Sequence, residues 1–257
     1  MPLNKNSNVY IIGFAAAVCV VCSIFVSGAA VTLRPQQKAN AKLDLQKNVV
    51  SVSGLTTEGN DAASIQAFFE YEEAQKPPDR IEELYIDLRT AEEKDPNEDS
   101  VKKILEECSE KNPASGQVRC FKDIQLVYEI YNKGQLDRII LPVEGKGLWS
   151  TLKGFLAVGT DGNTVKGLTF YSHAETPGLG GEIDNKDWKK QWVDKKAYKD
   201  GKTALLVRKG GAKDKTYEVD GLSGATLTSD GVTNMVQFWL GNEGYGPYLK
   251  KMQTGGS

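Results

Sequence analysis

Three glycine-rich stretches carry most of the side chains with chemical potential in this chain. They are Glu144-Gly-Lys-Gly-Leu-Trp-Ser150, His173-Ala-Glu-Thr-Pro-Gly-Leu-Gly-Gly181 and Asp220-Gly-Leu-Ser-Gly-Ala-Thr-Leu-Thr-Ser229. The third has the clearest physics. A small-residue loop feeding a helix exposes free backbone N–H groups at the helix start, and the macrodipole adds positive potential there. Gly224 and Ala225 allow close backbone approach, and Ser223, Thr226, Thr228 and Ser229 offer hydroxyls. Such an arrangement suits a phosphate, although a plain helix-capping turn uses the same residue types. In the second stretch Pro177 stiffens a run of small residues. That run either lies beside a planar ligand or forms a structural Ω-loop. The first ends in Trp149, a stacking surface or a core residue.

Other chemistries fit less well. Gly221-Leu-Ser-Gly-Ala225 resembles a nucleophile elbow centred on Ser223, but in that fold the His follows the Ser. His173, the single His, precedes it. Other triad orders stay open as a minor reading. No G-x-G-x-x-G opens a βαβ unit and no G-K-[ST] closes a glycine loop, so a Rossmann or P-loop site is unsupported. With one His, an all-protein zinc site would have to use Cys or carboxylates. Lys+Arg number 32 and Asp+Glu 34, a net charge of −2. That balance argues against a nucleic-acid partner. Hydrophobic residues are 40% and charged residues 26% of 257, which fits one large globular domain or two small ones.

The elements that must position these loops are readable in part. Asp61 is a candidate cap for a helix over Ala62–Ala74, ended by Pro77-Pro78, and Ser100–Cys108 is a second helix candidate. Strands are expected at Leu126–Tyr131, Arg138–Val143, Phe155–Val158, Val165–Tyr171 and Leu205–Arg208, with Asp161-Gly162-Asn163 as a hairpin turn. Ser229 or Asp230 is expected to cap a helix that stops at Gly241, followed by a short amphipathic tail. The fold class is α+β, with a mainly antiparallel sheet behind a single N-terminal transmembrane helix. The divisions are 1–33 for the segment with that helix, 34–60 for a polar tether, 61–123 for a helical acidic region, and 124–257 for the α+β domain. Residues 70–110 carry a net −9 and 186–215 a net +7. Both read as solvated surfaces, with docking of a basic partner and a membrane- or subunit-facing role as the respective alternatives.

Val9–Leu33 contains no charge over 25 residues. As a helix it would rise about 37 Å, enough to cross a hydrocarbon core of ~30 Å. Signal h-regions run about 7–15 residues, which favours an uncleaved anchor over a cleaved leader. Lys5 precedes the span, and Arg34, Lys38, Lys42 and Lys47 follow it. Taken alone, the positive-inside rule puts the large domain in the cytoplasm. Cys19 and Cys22 share one helical face of the span and read as small packing residues or as part of a shared thiolate site. Cys108 and Cys120 flank Pro113 and Gly116; a disulfide and two free thiols are both open, and the disulfide would require an oxidising compartment such as the periplasm.

Together, His-Ala-Glu-Thr-Pro-Gly-Leu-Gly and Ser-Gly-Ala-Thr-Leu-Thr-Ser resemble the covalent FMN-binding domain family of bacterial respiratory flavoproteins. Length, anchor and acidic insert extend the likeness to the C subunits of Na+-translocating NADH:quinone oxidoreductases, with G subunits of Rnf complexes as the alternative. A non-redox anchored binding module is the remaining reading. The resemblance implies FMN joined through its phosphate to Thr226, with Thr228 as the second choice. It implies that a separate flavin transferase forms the bond from FAD with Mg2+. The ring would lie near Trp149, Gly178, Leu179 and Gly180, while Glu175 and Thr176 contact the flavin or order the loop. Ser223, Gly224, Ala225 and Thr228 would line the phosphoryl end, and His173 would serve loop geometry rather than proton chemistry. Relatives in the family often carry Gly where Ala174 stands, so the resemblance implies a methyl group added near the ring. The implied function is electron relay inside an inner-membrane complex that oxidises NADH, reduces quinone and moves Na+. Its partners are the other subunits of that complex. The resemblance places the flavin domain in the periplasm, against the charge rule. NADH itself is not expected to bind here.

Overall fold

The computed structural model describes residues 8–56, 61–108, 118 and 120–255. Lys5, Pro113 and Gly116 therefore lie outside the described residues. The chain divides into two compact units, Met1–Asp44 and Leu45–Ser257. Helix α1 (Asn8–Ser53) forms the described part of the first unit and contributes its last turns to the second. Among the described residues it is the one helix long and apolar enough to cross a membrane, and its apolar window is wholly exposed.

Residues 34–53 are helical, which corrects the expected tether. The reason is burial. Val49, Val52 and Leu55 pack against Ile81, Tyr128, Ile130, Ile140 and Phe155. Gly54, at φ +73°, ends the helix in the left-handed region that favours glycine. The Arg138 guanidinium donates to the Val52 carbonyl at 3.3 Å, placing a cation at the negative end of the helix.

Helix α2 (Ala62–Gln66) is much shorter than the expected Ala62–Ala74. Next come β1 (Arg80–Asp87), β2 (Glu92–Glu93) and α3 (Asp99–Glu106). Then follow β3 (Ile124–Asn132), β4 (Gln135–Lys146), β5 (Thr151–Gly159) and β6 (Val165–Ser172). The six strands form one antiparallel sheet in the order β2-β1-β3-β4-β5-β6. Pairing of β1 with β3 over eight positions corrects the expected boundary at 123. The acidic region is not a helical annex but supplies two strands of the same sheet. Cys108 and Cys120 form a disulfide.

The sheet is buried on both faces, as its alternation requires. Ile139, Leu141, Leu156 and Val158 join one cluster, while Ile140, Phe155 and Ala157 join the one that holds the end of α1. The β5–β6 turn closes at Gly162, φ +61°. Burial pushes the Asp161 carboxyl up, but the Thr164 hydroxyl and the amides of Thr164 and Asn163 outweigh it and hold it at about 2.

After β6 the chain crosses a 3-10 turn (Gly180–Asp184), α4 (Lys186–Lys190), and the small hairpin β7 (Tyr198–Lys199) and β8 (Lys202–Thr203). Trp188 and Trp192 are buried here, which corrects the expectation of a solvated surface over this basic stretch. Strands β9 (Leu206–Arg208) and β10 (Glu218–Asp220) pair in parallel. Helices α5 (Thr226–Leu240) and α6 (Gly246–Gln253) end the chain. Val232, Met235, Val236 and Trp239 of α5 lie in the larger cluster. Met235 meets the open position of Gly145, where a Cβ would sit 2.6 Å from Met235 Cβ. That close approach brings the middle of α5 to the end of β4, where the first glycine loop begins.

Candidate functional site

One buried carboxylate joins the three glycine loops. Glu175 Oε1 accepts from the amides of Trp149 at 3.0 Å and Ser150 at 3.3 Å, and Oε2 accepts from Leu148 at 3.2 Å. From the third loop, the Thr228 hydroxyl donates to Oε2 at 2.6 Å. Burial raises the Glu175 carboxyl, but the Thr228 hydroxyl and the amides of Trp149, Leu148 and Ser150 prevail and hold it below its ordinary 4.5. The neighbouring glycines make room for this junction. A Cβ at Gly147 would lie 2.5 Å from Glu175 Oε1, and one at Gly180 would lie 2.5 Å from Thr228 Oγ1.

Helix α5 begins at Thr226 with Ala225 as its cap, four residues before the Ser229 cap, or five before the Asp230 cap, expected from the sequence. Ser229 Oγ instead accepts the Leu222 amide at 3.0 Å and holds the incoming loop from inside the first turn. Thr226 is half-buried and lines a cavity of about 360 Å3 together with Ser223, Gly224 and Ser229. The first-turn N–H groups of α5 have no intrahelical acceptor, so they provide donors for an anion at this end. Gly224 has φ +70°, and a Cβ there would sit 2.9 Å from Leu179 Cδ2. Leu179 thus packs onto the third loop and fixes the second against it.

His173 belongs to a bonding chain. Its Nδ1 accepts the Glu175 amide at 3.2 Å, and its Nε2 meets Asp184 Oδ2 at 2.7 Å. Lys189 pairs with the other Asp184 oxygen at 3.1 Å. With Nδ1 accepting, Nε2 is the nitrogen that donates to Asp184. No bond joins His173 to Ser223 among the described residues, so the hydrolase reading finds no nucleophile–base pair. The Ala174 amide donates to Ser150 Oγ at 2.8 Å, and Ala174 itself is exposed.

Of the expected site residues, Ala225, Glu175, Gly180 and Thr228 are buried; Ser223, Gly224, Thr176, Gly178 and Leu179 are exposed. Thr176 contributes its carbonyl, which accepts the amides of Leu179 at 3.1 Å and Gly181 at 2.9 Å. Trp149 is 70% exposed and Leu227 61%, and Leu148 and Leu179 are also exposed. These four exposed apolar side chains belong to the three loops, and Leu179 among them reaches Gly224, which lines the polar cavity. Sequence reasoning missed the Lys209-Gly210-Gly211 turn, which lines the Thr226 cavity. The available signal was its glycine pair, obscured by the surrounding lysines.

The residues present fit the phosphoryl end of FMN. Glycines line the cavity, a Cβ at Gly221 or Gly224 would crowd its walls, and a Thr hydroxyl stands at a helix start. A family described as an FMN-binding domain matches residues 147–241. The chain is 42% identical over 269 residues to the C subunit of the Na(+)-translocating NADH-quinone reductase of Vibrio campbellii, covering 100% of this chain and 99% of that one. It is 40% identical over 260 residues to the corresponding C subunit of Pseudomonas aeruginosa, covering 98% of each. The crystal structure of Shewanella oneidensis NqrC superposes with a TM-score of 0.69 at 29% identity, over 83% of this chain and 99% of that one.

Proposed function

The chain belongs to the NqrC family, the C subunits of the Na(+)-translocating NADH-quinone reductase, and from that membership we propose that it carries FMN joined through its phosphate to Thr226. Likeness along the whole chain at 42% identity selects this family over the Rnf alternative. The protein is a flavoprotein subunit that relays electrons within the Na+-translocating complex, and its activity requires the whole complex. When bound, FMN supplies one-electron redox chemistry between neighbouring centres.

The chain's own residues bind and orient. The observation that carries the choice of Thr226 is the contrast with Thr228. Thr226 lines the cavity at the first position of α5, whereas the Thr228 hydroxyl is buried and engaged by Glu175. No hydrogen bond places a base on the Thr226 hydroxyl among the described residues, which supports attachment by a separate flavin transferase. Glu175 orders the three loops. Trp149 and Leu179 offer apolar surface for the ring, with Gly178 and Gly180 leaving space beside it. Anchoring is through α1. The Cys108–Cys120 disulfide supports a periplasmic flavin domain, since such bonds persist in oxidising compartments.

The test is flavin fluorescence of the denatured band after co-expression with an active flavin transferase. Wild type should fluoresce and Thr226→Ala should be dark. A dark wild-type band would overturn the flavin reading, and a fluorescent mutant would move the attachment point.

A further inference from the structure

We propose that the Lys209-Gly210-Gly211 turn forms part of the wall of the phosphate site, with Lys209 as the cation that neutralises the phosphodiester on Thr226. The inference rests on the flavin reading above and adds a binding residue to it.

Topology brings the turn there. Because β9 and β10 run parallel, the loops that follow them leave from the same end. One loop is Lys209-Gly210-Gly211, and the other is Gly221-Leu-Ser-Gly224. The Arg208 carbonyl ties them together, accepting the amides of Gly221 at 2.8 Å and Gly211 at 3.3 Å. A Cβ at Gly221 would stand 2.8 Å from that carbonyl oxygen, so only glycine permits this spacing. The cavity is lined by Ser223 and Gly224 of the loop after β10 with Thr226 just after it, and by Lys209, Gly210 and Gly211 of the loop after β9. Gly210 and Gly211 have φ of +77° and +97°, and neither places a side chain in the space.

The charges match an anion. Lys209 is the one cationic residue lining the cavity among the described residues. It has no hydrogen-bond or ion-pair partner among them. Asp220 is the one acid of the lining, and its Oδ1 is engaged by the Ala212 amide at 2.7 Å. A phosphodiester keeps one negative charge at neutral pH, and the start of α5 supplies only about half a compensating charge. Lys209 supplies the remainder. The turn is also held in place: the buried Glu218 carboxylate pairs with Arg208 and accepts the amides of Lys213 at 2.6 Å and Asp214 at 3.1 Å.

The experiment is a double-mutant cycle between the charge at 209 and the phosphate at 226, read as melting temperature of the full chain in detergent. Its four corners are the flavinylated wild type, flavinylated Lys209→Glu, Thr226→Ala, and the double variant. Lys209→Glu should lower the melting temperature of the flavinylated protein by about 2–4 °C and leave the Thr226→Ala background unchanged. Added salt should shrink the difference, and Lys209→Arg should match wild type. Equal shifts in both backgrounds would overturn the proposal. If Lys209→Glu prevents flavin loading, Lys209→Gln takes its corner, and the same inequality is required. A wild-type protein without covalent flavin would defeat the underlying reading instead, before the cycle begins.

Discussion

The Thr228 hydroxyl donates to Glu175 Oε2 at 2.6 Å across 53 residues of sequence, and both side chains are buried. This bond locks the start of α5 to the loop after β6. The same carboxylate accepts three amides of the loop after β4. Two contiguous loops would need only local turns to define them. Three distant ones need a common acceptor, and an ionised carboxylate has enough lone pairs to serve all of them.

Glu175→Gln should therefore weaken the whole junction. An amide group replaces one acceptor oxygen with a donor that faces donors. Hydrogen bonds to a charged group contribute about 1.5–3 kcal/mol, so a loss of that order is expected. Thermal unfolding followed by circular dichroism measures it; an unchanged melting temperature would remove Glu175 from this role.

Acid should act on the same bond. The folded value of Glu175 lies below 4.5, so its contribution is fully present above 4.5. That contribution is lost as pH falls through the folded value. Stability measured by denaturant titration should drop in this window for wild type, with a shallower slope for Glu175→Gln.

The two threonines should separate cleanly. Thr228→Val keeps the shape but removes the donor to Glu175, at a cost of about 1–2 kcal/mol. Its denatured band should still carry flavin fluorescence, whereas that of Thr226→Ala should not. Loss of the fluorescent band in a folded Thr228→Val protein would count against Thr226.

Gly224→Ala should be costly for two reasons. A non-glycine residue at φ +70° loses about 1–2 kcal/mol, and the new methyl group meets Leu179 Cδ2 at 2.9 Å. Adding Leu179→Ala relieves the second cost but not the first. Unfolding midpoints should place the double variant between Gly224→Ala and wild type on the scale of strain, after correction for Leu179→Ala alone.

How much of this was legible follows from how local each signal is. The central strands were visible because Ile139, Ile140 and Leu141, like Phe155 through Val158, supply apolar residues to both faces. β1 was hidden because Arg80, Glu82, Glu83 and Asp87 dominate its composition, leaving Ile81 and Ile86 as its fully buried side chains. Parallel pairing of β9 with β10 could not be read from three-residue strands that meet only in space. The glycine loops announced themselves by composition, and the role of Glu175 in ordering them was one of two options. Its identity as their shared acceptor required the third dimension. The start of α5 was misplaced because Ser229 has a capping residue's chemistry, yet directs its oxygen to Leu222 from within the helix.

The boundary between the two units falls at Asp44, nine residues before α1 ends. The helix therefore runs across the border between the two units, and truncation should respect the packing of its last turns rather than its end. A soluble version beginning at residue 45 retains Val49, Val52 and Leu55, and should run as a single species on size exclusion. One beginning at residue 61 would bare Tyr128, Ile140 and Phe155 to water, and should bind hydrophobic dyes and self-associate. Liberating this domain from its membrane thus means cutting inside a helix rather than after it.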